Sequence, residues 1–575
     1  MVRKVSFYIT TFLALLVFIY IFFNQLSKGL YLVGDTSFHV SRIYDIRQSF
    51  FNHEIPLWIN FHSFFGLGQA VNGMYPDISL WPFIMLTLWM PFHTQIVVIN
   101  GLIFILTLCV SFFTFQNHKV NVENAILASI IYAFSGYCIY AFIYEFQPGT
   151  AVIYCFSFPI LYFIKDVLEK DVIDFRLVIK GALIFTLILY SHLLSAVIFA
   201  TVFVIAWLVN ILINNRINFF TLINMLLSGC LALICSMPII YRTFLIEKSG
   251  ISSPFGKGHV TAESFMDVFI HSDIISRTSI SIIALALMVI VLCNETKDSK
   301  IISALLVEFV LILMCTDVMP WTILGKLPLI NMLQYTPWRF GIWLSVIPLY
   351  VFLRSSWSKY SFNIGGVILV ILAIVSVVSS AGKFHDASSD VARLNEDAPL
   401  TYYFHDRKFN NIYNRILVKD YSPNGSNNVG EKDKVQKHTR IMATNPTIKV
   451  KGKSFKLRRK PLRNGVMFSL DTDKKVYKSS GHLMLPVYGY KSLLKQYTIS
   501  INGKKIDRRN YAVSNGWLTI YNVKENNINN IKVQFSNPKI YVYTLCFSIF
   551  IILLLIFILG NMRGNFNDEN SLQDV

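Results

Sequence analysis

Residues 31–58, YLVGDTSFHVSRIYDIRQSFFNHEIPLW, set an acid, an imidazole and a guanidinium at Asp35, His39 and Arg42, just after the first apolar run. If residues 35–50 are helical, spacings of four and three put all three on one face, with Phe38 and Asp45 on other flanks. Such a set could take a proton from a hydroxyl and neutralise a departing phosphate. That work needs a base, cations and a water-poor groove. A plainer reading stays open: Asp35 follows Gly34 at the expected start of the helix, where the helix dipole favours a carboxylate. It would then be an N-cap with a surface pair to His39.

The elements that must position these residues are apolar. Of 575 residues, 54% are hydrophobic and 15% charged, where a soluble chain carries about a quarter charged. Apolar runs near 5–24, 95–115, 122–143, 149–165, 176–191, 193–213, 219–241, 278–294, 300–316, 339–353, 362–380 and 540–560 predict about twelve spans. The short segment 79–92, SLWPFIMLTLWMPF, carries Trp81 and Trp89 and ends near Pro91; it reads as a helix lying at the interface. The opening MVRK and its apolar run lack a small-residue cleavage site and read as an uncleaved signal anchor. All eight cysteines fall in apolar segments without a CxxC, as small buried hydrophobes do.

Short loops bearing Lys119, Lys165, Lys170, Arg216, Lys300 and Arg354 set a modest positive-inside bias. The expected topology puts both termini in the cytoplasm and 26–94, 242–277, 317–338 and 381–538 on the outer face of a bacterial plasma membrane. The composition is compatible with a Gram-positive one. The expected domains are 1–380, a membrane domain with first outer loop 26–94; 381–538, an extracytoplasmic β domain; and 539–575, a last span and tail.

The outer region 381–538 differs in kind. QYTISINGKKI, GWLTIYNV and NIKVQF alternate apolar and polar residues, and Asn502-Gly503 is a hairpin signal. An all-β domain, sandwich-like, is expected, with 421–434 as a loop. It holds 29 Lys+Arg against 12 Asp+Glu, a net +17 of the chain's +19. That balance suits anionic lipid heads or an anionic envelope polymer. Nucleic acid is not expected as a partner of a domain anchored by spans on both flanks.

The motifs Asp35…Phe38-His39…Arg42, Ile55-Pro56…Trp58, Gly66…Gly68 and Tyr75-Pro76 together resemble the first outer loop of bacterial multi-spanning GT-C glycosyltransferases. More narrowly they resemble the YfhO-like proteins and the membrane family labelled "6-pyruvoyl-tetrahydropterin synthase-related". YSHLLSA (190–196), LQYTPWRF (333–340) and LPVYGYKSL with INGKKI are similar to later stretches of that family, in the same order. The resemblance implies a GT-C-like membrane domain moving a sugar from a polyprenyl-phosphate carrier to an envelope polymer or lipid. It implies Asp35 as the base, partly buried at the membrane edge. His39, Arg42, His192, Gln334, Trp338 and Arg339 would bind substrate, with Arg42 and Arg339 on the lipid phosphate. No D-x-D or E-x-D occurs in the loop, so a divalent cation stays possible and no cofactor is certain.

Plainer roles are open for the others: His192 as a hydrogen-bonded turn residue, Trp338 as an interface anchor, Asp77 as a helix cap. Glu145 is an isolated acid at an outer helix end, and Asp317, His259 and Glu263 are loop residues without an expected role. Two further functions compete, a flippase for a lipid-linked glycan and a non-catalytic polymer scaffold. Transporters place ionisable groups near mid-membrane; here Glu308 is the main such residue, and the rest collect at the outer edge.

Overall fold

The computed structural model describes residues 2–573 except 29, 32–34, 253–259, 271–279, 295–297, 328–329, 356–367, 369, 376, 378–402, 405–419, 427–436, 451–452, 471–481, 522 and 524–527. The chain is mostly helical, with a C-terminal β region. The described residues of the expected apolar runs up to residue 353, and of the last one, fall mostly in helices, one or more to a run; the run at 362–380 lies mostly outside the described residues. Among the described residues four helices are long and apolar enough to cross a membrane: Phe7–Ser27, Phe92–Asn117, Leu193–Asn214 and Lys539–Met562.

Three expected spans are bent. Val122–Ala133 meets Gly136–Phe142 at 52°, Pro148–Cys155 meets Ser157–Glu169 at 51°, and Phe219–Cys235 meets Met237–Glu247 at 71°. Counting each bent pair as one span raises the total to seven. Two of the breaks have a covalent cause. Pro159 and Pro238 lack an N–H and would clash with the carbonyl four residues back, so each lies in the first turn of a new helix. Within the segment 79–92 the α-helix Trp81–Leu86 is about 9 Å long at 1.5 Å per residue, too short to cross. Met85, Leu86 and Trp89 on it are exposed.

Leu30–Tyr31 (β1) pairs antiparallel with Tyr403–Phe404 (β2), joining the segment after the first helix to the long region between the last two expected spans. The β region holds two antiparallel sheets. One has six strands in the order Thr447–Val450 (β3), Lys453–Leu462 (β4), Gly465–Leu470 (β5), Asn530–Phe535 (β11), Tyr497–Ile501 (β7) and Lys504–Lys505 (β8). The other runs Leu483–Tyr488 (β6), Trp517–Ile520 (β10) and Tyr511–Ser514 (β9). The three alternating segments read from the sequence are thus strands, and burial alternates along β7 and β11. Asn502 and Gly503, both at positive φ (49° and 83°), form the turn between β7 and β8. Of the expected loop 421–434, residues 421–426 form turns and the remainder lies outside the described residues.

The two sheets share one core, and the first loop enters it. Trp58, Phe61, Leu67 and Ala70 pack with Val487, Tyr490, Ile531 and Val533. Polar ties fix the join. Trp58 N–H donates to Asn537 Oδ1 (3.1 Å), while Asn537 Nδ2 donates to the Pro56 carbonyl (2.9 Å). Arg459 donates to the carbonyls of Phe65, Met442 and Ala443, and Arg463 pairs with Glu54 at 2.9 Å. Part of the β region's positive charge therefore serves internal contacts.

Candidate active site

The first-loop helix spans Thr36–Phe51, as the spacing predicts. Asp35 stands at its N-cap, yet its carboxylate makes no capping bond and the residue is exposed, where partial burial was expected. Its backbone is held instead. The Asp35 N–H donates to Glu145 Oε1 (2.9 Å), and the Phe146 N–H donates to Thr36 Oγ1 (3.1 Å). Glu145 follows a π-helical turn, Tyr140–Tyr144, and is buried. The isolated acid of the sequence is thus the anchor of the exposed one.

Asp35, His192, Gln334, Trp338 and Arg339 line one cavity of about 170 Å³, together with Tyr137, Gln147, Tyr154 and Trp343. Four distant stretches of chain meet there. His192 is the residue between helices Phe175–Ser191 and Leu193–Asn214; its Nδ1 lies 2.9 Å from Ser195 Oγ. It keeps the hydrogen bond of a turn histidine while facing the cavity. Burial, then the nearby Arg339 and Arg42 guanidinium groups, push its pKa down to about 3. Gln334 takes a left-handed conformation (φ 52°) just before the short helix Thr336–Phe340. The Arg339 Nε donates to the Leu333 carbonyl at 3.1 Å, and an Arg339 terminal nitrogen lies 3.5 Å from Gln334 Oε1.

Arg42 and His39 are not among the lining residues. Arg42 is 1% exposed, donates to the Pro76 carbonyl at 2.8 Å, and sits 4.0 Å over the Tyr75 ring. His39 lies beside it, Nδ1 3.1 Å from an Arg42 nitrogen, and burial holds its pKa well below the ordinary imidazole range. The shared helix face is real, but the Tyr75-Pro76 strap covers it. Tyr75 then separates that buried pair from His192, whose ring is 5.6 Å away. Burial raises the Tyr75 phenol to about 12, so it stays protonated at neutral pH.

The other acids have structural partners. Asp77 makes no capping bond; it is fully buried, with Oδ1 2.6 Å from Arg242 and Oδ2 accepting from Trp81 Nε1 at 2.8 Å. Asp45, on the buried side of the first-loop helix, accepts from the Phe61 and His62 N–H groups (3.1 and 2.9 Å) and from the Ser63 hydroxyl. Asp317 and Glu263 meet through backbone, and His259 lies outside the described residues. Glu308 is buried in helix Ser299–Met314, and neither carboxyl oxygen has a hydrogen-bond partner among the described residues.

Sequence reasoning missed Arg242, Tyr137, Gln147, Tyr154 and Trp343. Gln147 stands two residues from Glu145 in the same turn, which was its signal. The rest look like ordinary span residues. No three His, Cys, Asp or Glu side chains converge as a metal site among the described residues. At the cavity the metal-ligating side chains are Asp35 and His192, while Glu145 Oε1 accepts from the Asp35 N–H. No family model matches the chain, and no curated protein matches it.

Proposed function

We propose that the chain is an outer-face glycosyltransferase of GT-C type. It would move a sugar from a polyprenyl-phosphate carrier to a cell-envelope polymer or lipid in a bacterial plasma membrane. The observation that supports this most is the meeting of Asp35, His192, Gln334, Trp338 and Arg339 in one cavity, Asp35 and Arg339 being 304 positions apart. At about 170 Å³ the cavity is smaller than the ~300–1,000 Å³ of a typical ligand pocket. It suits the reacting end of a substrate, with the carrier's tail outside.

The acceptor hydroxyl oxygen attacks the sugar's anomeric carbon while Asp35 takes its proton. The bond from that carbon to the phosphate oxygen breaks, and its electron pair leaves with the polyprenyl phosphate. Arg339, oriented through Leu333 and Gln334, neutralises the charge on that phosphate; a guanidinium fork matches phosphate oxygens. His192, neutral at physiological pH, adds a hydrogen bond without a competing positive charge. Trp338 offers a ring face to the sugar. Arg42 and His39 act at one remove, fixing Tyr75 behind the site.

A flippase is the second reading. A second cavity continues along the same three helices: Ile160, Phe199 and Trp343 line the first, Leu161, Val202 and Ile347 the second. One assay separates them. Purified protein in proteoliposomes is given a polyprenyl-phosphate carrier with a labelled sugar and an acceptor glycan. Transfer predicts label leaving the carrier; label crossing the bilayer still on its carrier sinks the enzyme.

A further inference from the structure

The second cavity is the larger, about 540 Å³, and none of the transfer chemistry uses it. It lies between helices Ser157–Glu169, Leu193–Asn214, Ser299–Met314 and Trp343–Arg354, at the ends opposite to Asp35. Its rim is polar. Lys165 from one helix and Lys300 from another converge on the Glu169 carboxylate, at 3.2 and 2.6 Å. Arg216 adds a third cation, paired with Asp171 at 3.3 Å. Two ammonium groups, one on each oxygen of the same carboxylate, show that the rim geometry suits an anion with several oxygens. Lys165 also reaches Asp166 at 3.3 Å, so three cations meet three carboxylates, and Glu169 is the one both lysines share.

Below the rim the lining turns apolar: Leu161, Ile164, Val202, Ala206, Val307 and Ile347. From Asn214 back to Val202 the wall covers about twelve residues, or ~18 Å at 1.5 Å per residue. One leaflet's share of a ~30 Å hydrocarbon core is about 15 Å. Polar rim and apolar arm thus have the dimensions of a headgroup and its chain.

We propose that this groove is a binding site for a lipid with a phosphate headgroup. The phosphate sits between Lys165, Lys300 and Arg216, where it displaces the Glu169 carboxylate, and one hydrocarbon chain lies against Val202 and Ala206. A soluble phosphate compound would use the rim and leave the arm empty. This site does not depend on the sugar-transfer reading.

The test uses the delipidated full chain in detergent, titrated with phosphatidylglycerol, phosphatidylcholine or glycerol phosphate and read by native mass spectrometry. The wild type is expected to retain phosphatidylglycerol at least tenfold more strongly than either other probe. The Lys165→Ala/Lys300→Ala pair is expected to lose that preference, and so is Lys300→Gln, which keeps the fold testable if the pair misfolds. Ala206→Phe, which fills the arm, is expected to lower lipid retention at least tenfold. Equal retention by wild type and both lysine variants overturns the site. Glycerol phosphate binding as tightly as the lipid, or full retention in Ala206→Phe, overturns the lipid and leaves a soluble phosphate site.

Discussion

Asp35 and Asp45 are ten residues apart on one helix, and the protein treats them in opposite ways. Asp45 is buried, and its oxygens accept two backbone N–H groups and a hydroxyl from residues 61–63. Asp35 is exposed at a cavity mouth, held by its backbone, with no capping bond from its carboxylate. Arg42 and Arg339 repeat the contrast: one is sealed under Tyr75, the other lines the cavity. A charged side chain that satisfies its own neighbourhood has little left to offer a substrate. A carboxylate whose position is fixed through its main chain keeps its lone pairs available.

This contrast can be broken by crossed substitutions. Asp35→Asn keeps the N–H that binds Glu145, so sugar transfer is expected to fall 10²–10⁴-fold, the usual worth of a general base, with the unfolding midpoint unchanged. Asp45→Ala is expected to do the reverse. It strands buried donors and costs about 3 kcal/mol of stability, seen as a lower thermal midpoint, while activity per folded molecule persists. If Asp35→Asn transfers sugar normally, the enzyme reading fails. If Asp45→Ala loses activity while fully folded, the division of labour fails.

Arg339→Leu is expected to lower transfer 10–10²-fold and to cost about 1 kcal/mol of stability by leaving the Leu333 carbonyl without that donor. Arg42→Leu should cost about 2 kcal/mol by leaving the Pro76 carbonyl without its donor. Gly149→Ala sharpens the picture of the cavity wall. An added Cβ there would stand 2.5 Å from the Ser191 carbonyl, so a midpoint loss equivalent to about 1–3 kcal/mol is expected, with the His192 turn displaced.

The smallest effect is on pH dependence. His192 has a folded pKa near 3, below the ~6.5 of an unfolded histidine. The unfolded chain therefore binds more protons between those values, and the stability that His192 confers is present above pH 6.5 and lost as pH falls toward 3. The thermal midpoint measured from pH 7 to pH 4 should drop more steeply in the wild type than in His192→Gln. Equal slopes would place the imidazole in water.

Much of this was legible in the sequence. Apolar runs gave the helices, and two-residue alternation gave β7, β10 and β11. The proximity of Asp35 to His192 and Arg339 followed from assigning all three to one side. Pro159 and Pro238 were in plain view as helix breakers, yet run-length reading passed over them because hydropathy ignores the missing N–H. The fate of Arg42 was not legible. Helical spacing tells which residues share a face, whereas the Tyr75-Pro76 strap that covers this one arrives from 33 residues away. Arg242 was hidden likewise, its partner Asp77 being 165 positions distant.

The clasp between residues 35–36 and 145–146 has a further consequence. Each strand of it supplies the acceptor the other's amide needs, across 110 positions of chain. Neither half can settle by itself, because each would leave a buried amide or a buried acid stranded in a medium that punishes both. The mouth of the cavity therefore keeps its shape only while both segments, far apart in the chain, stay docked.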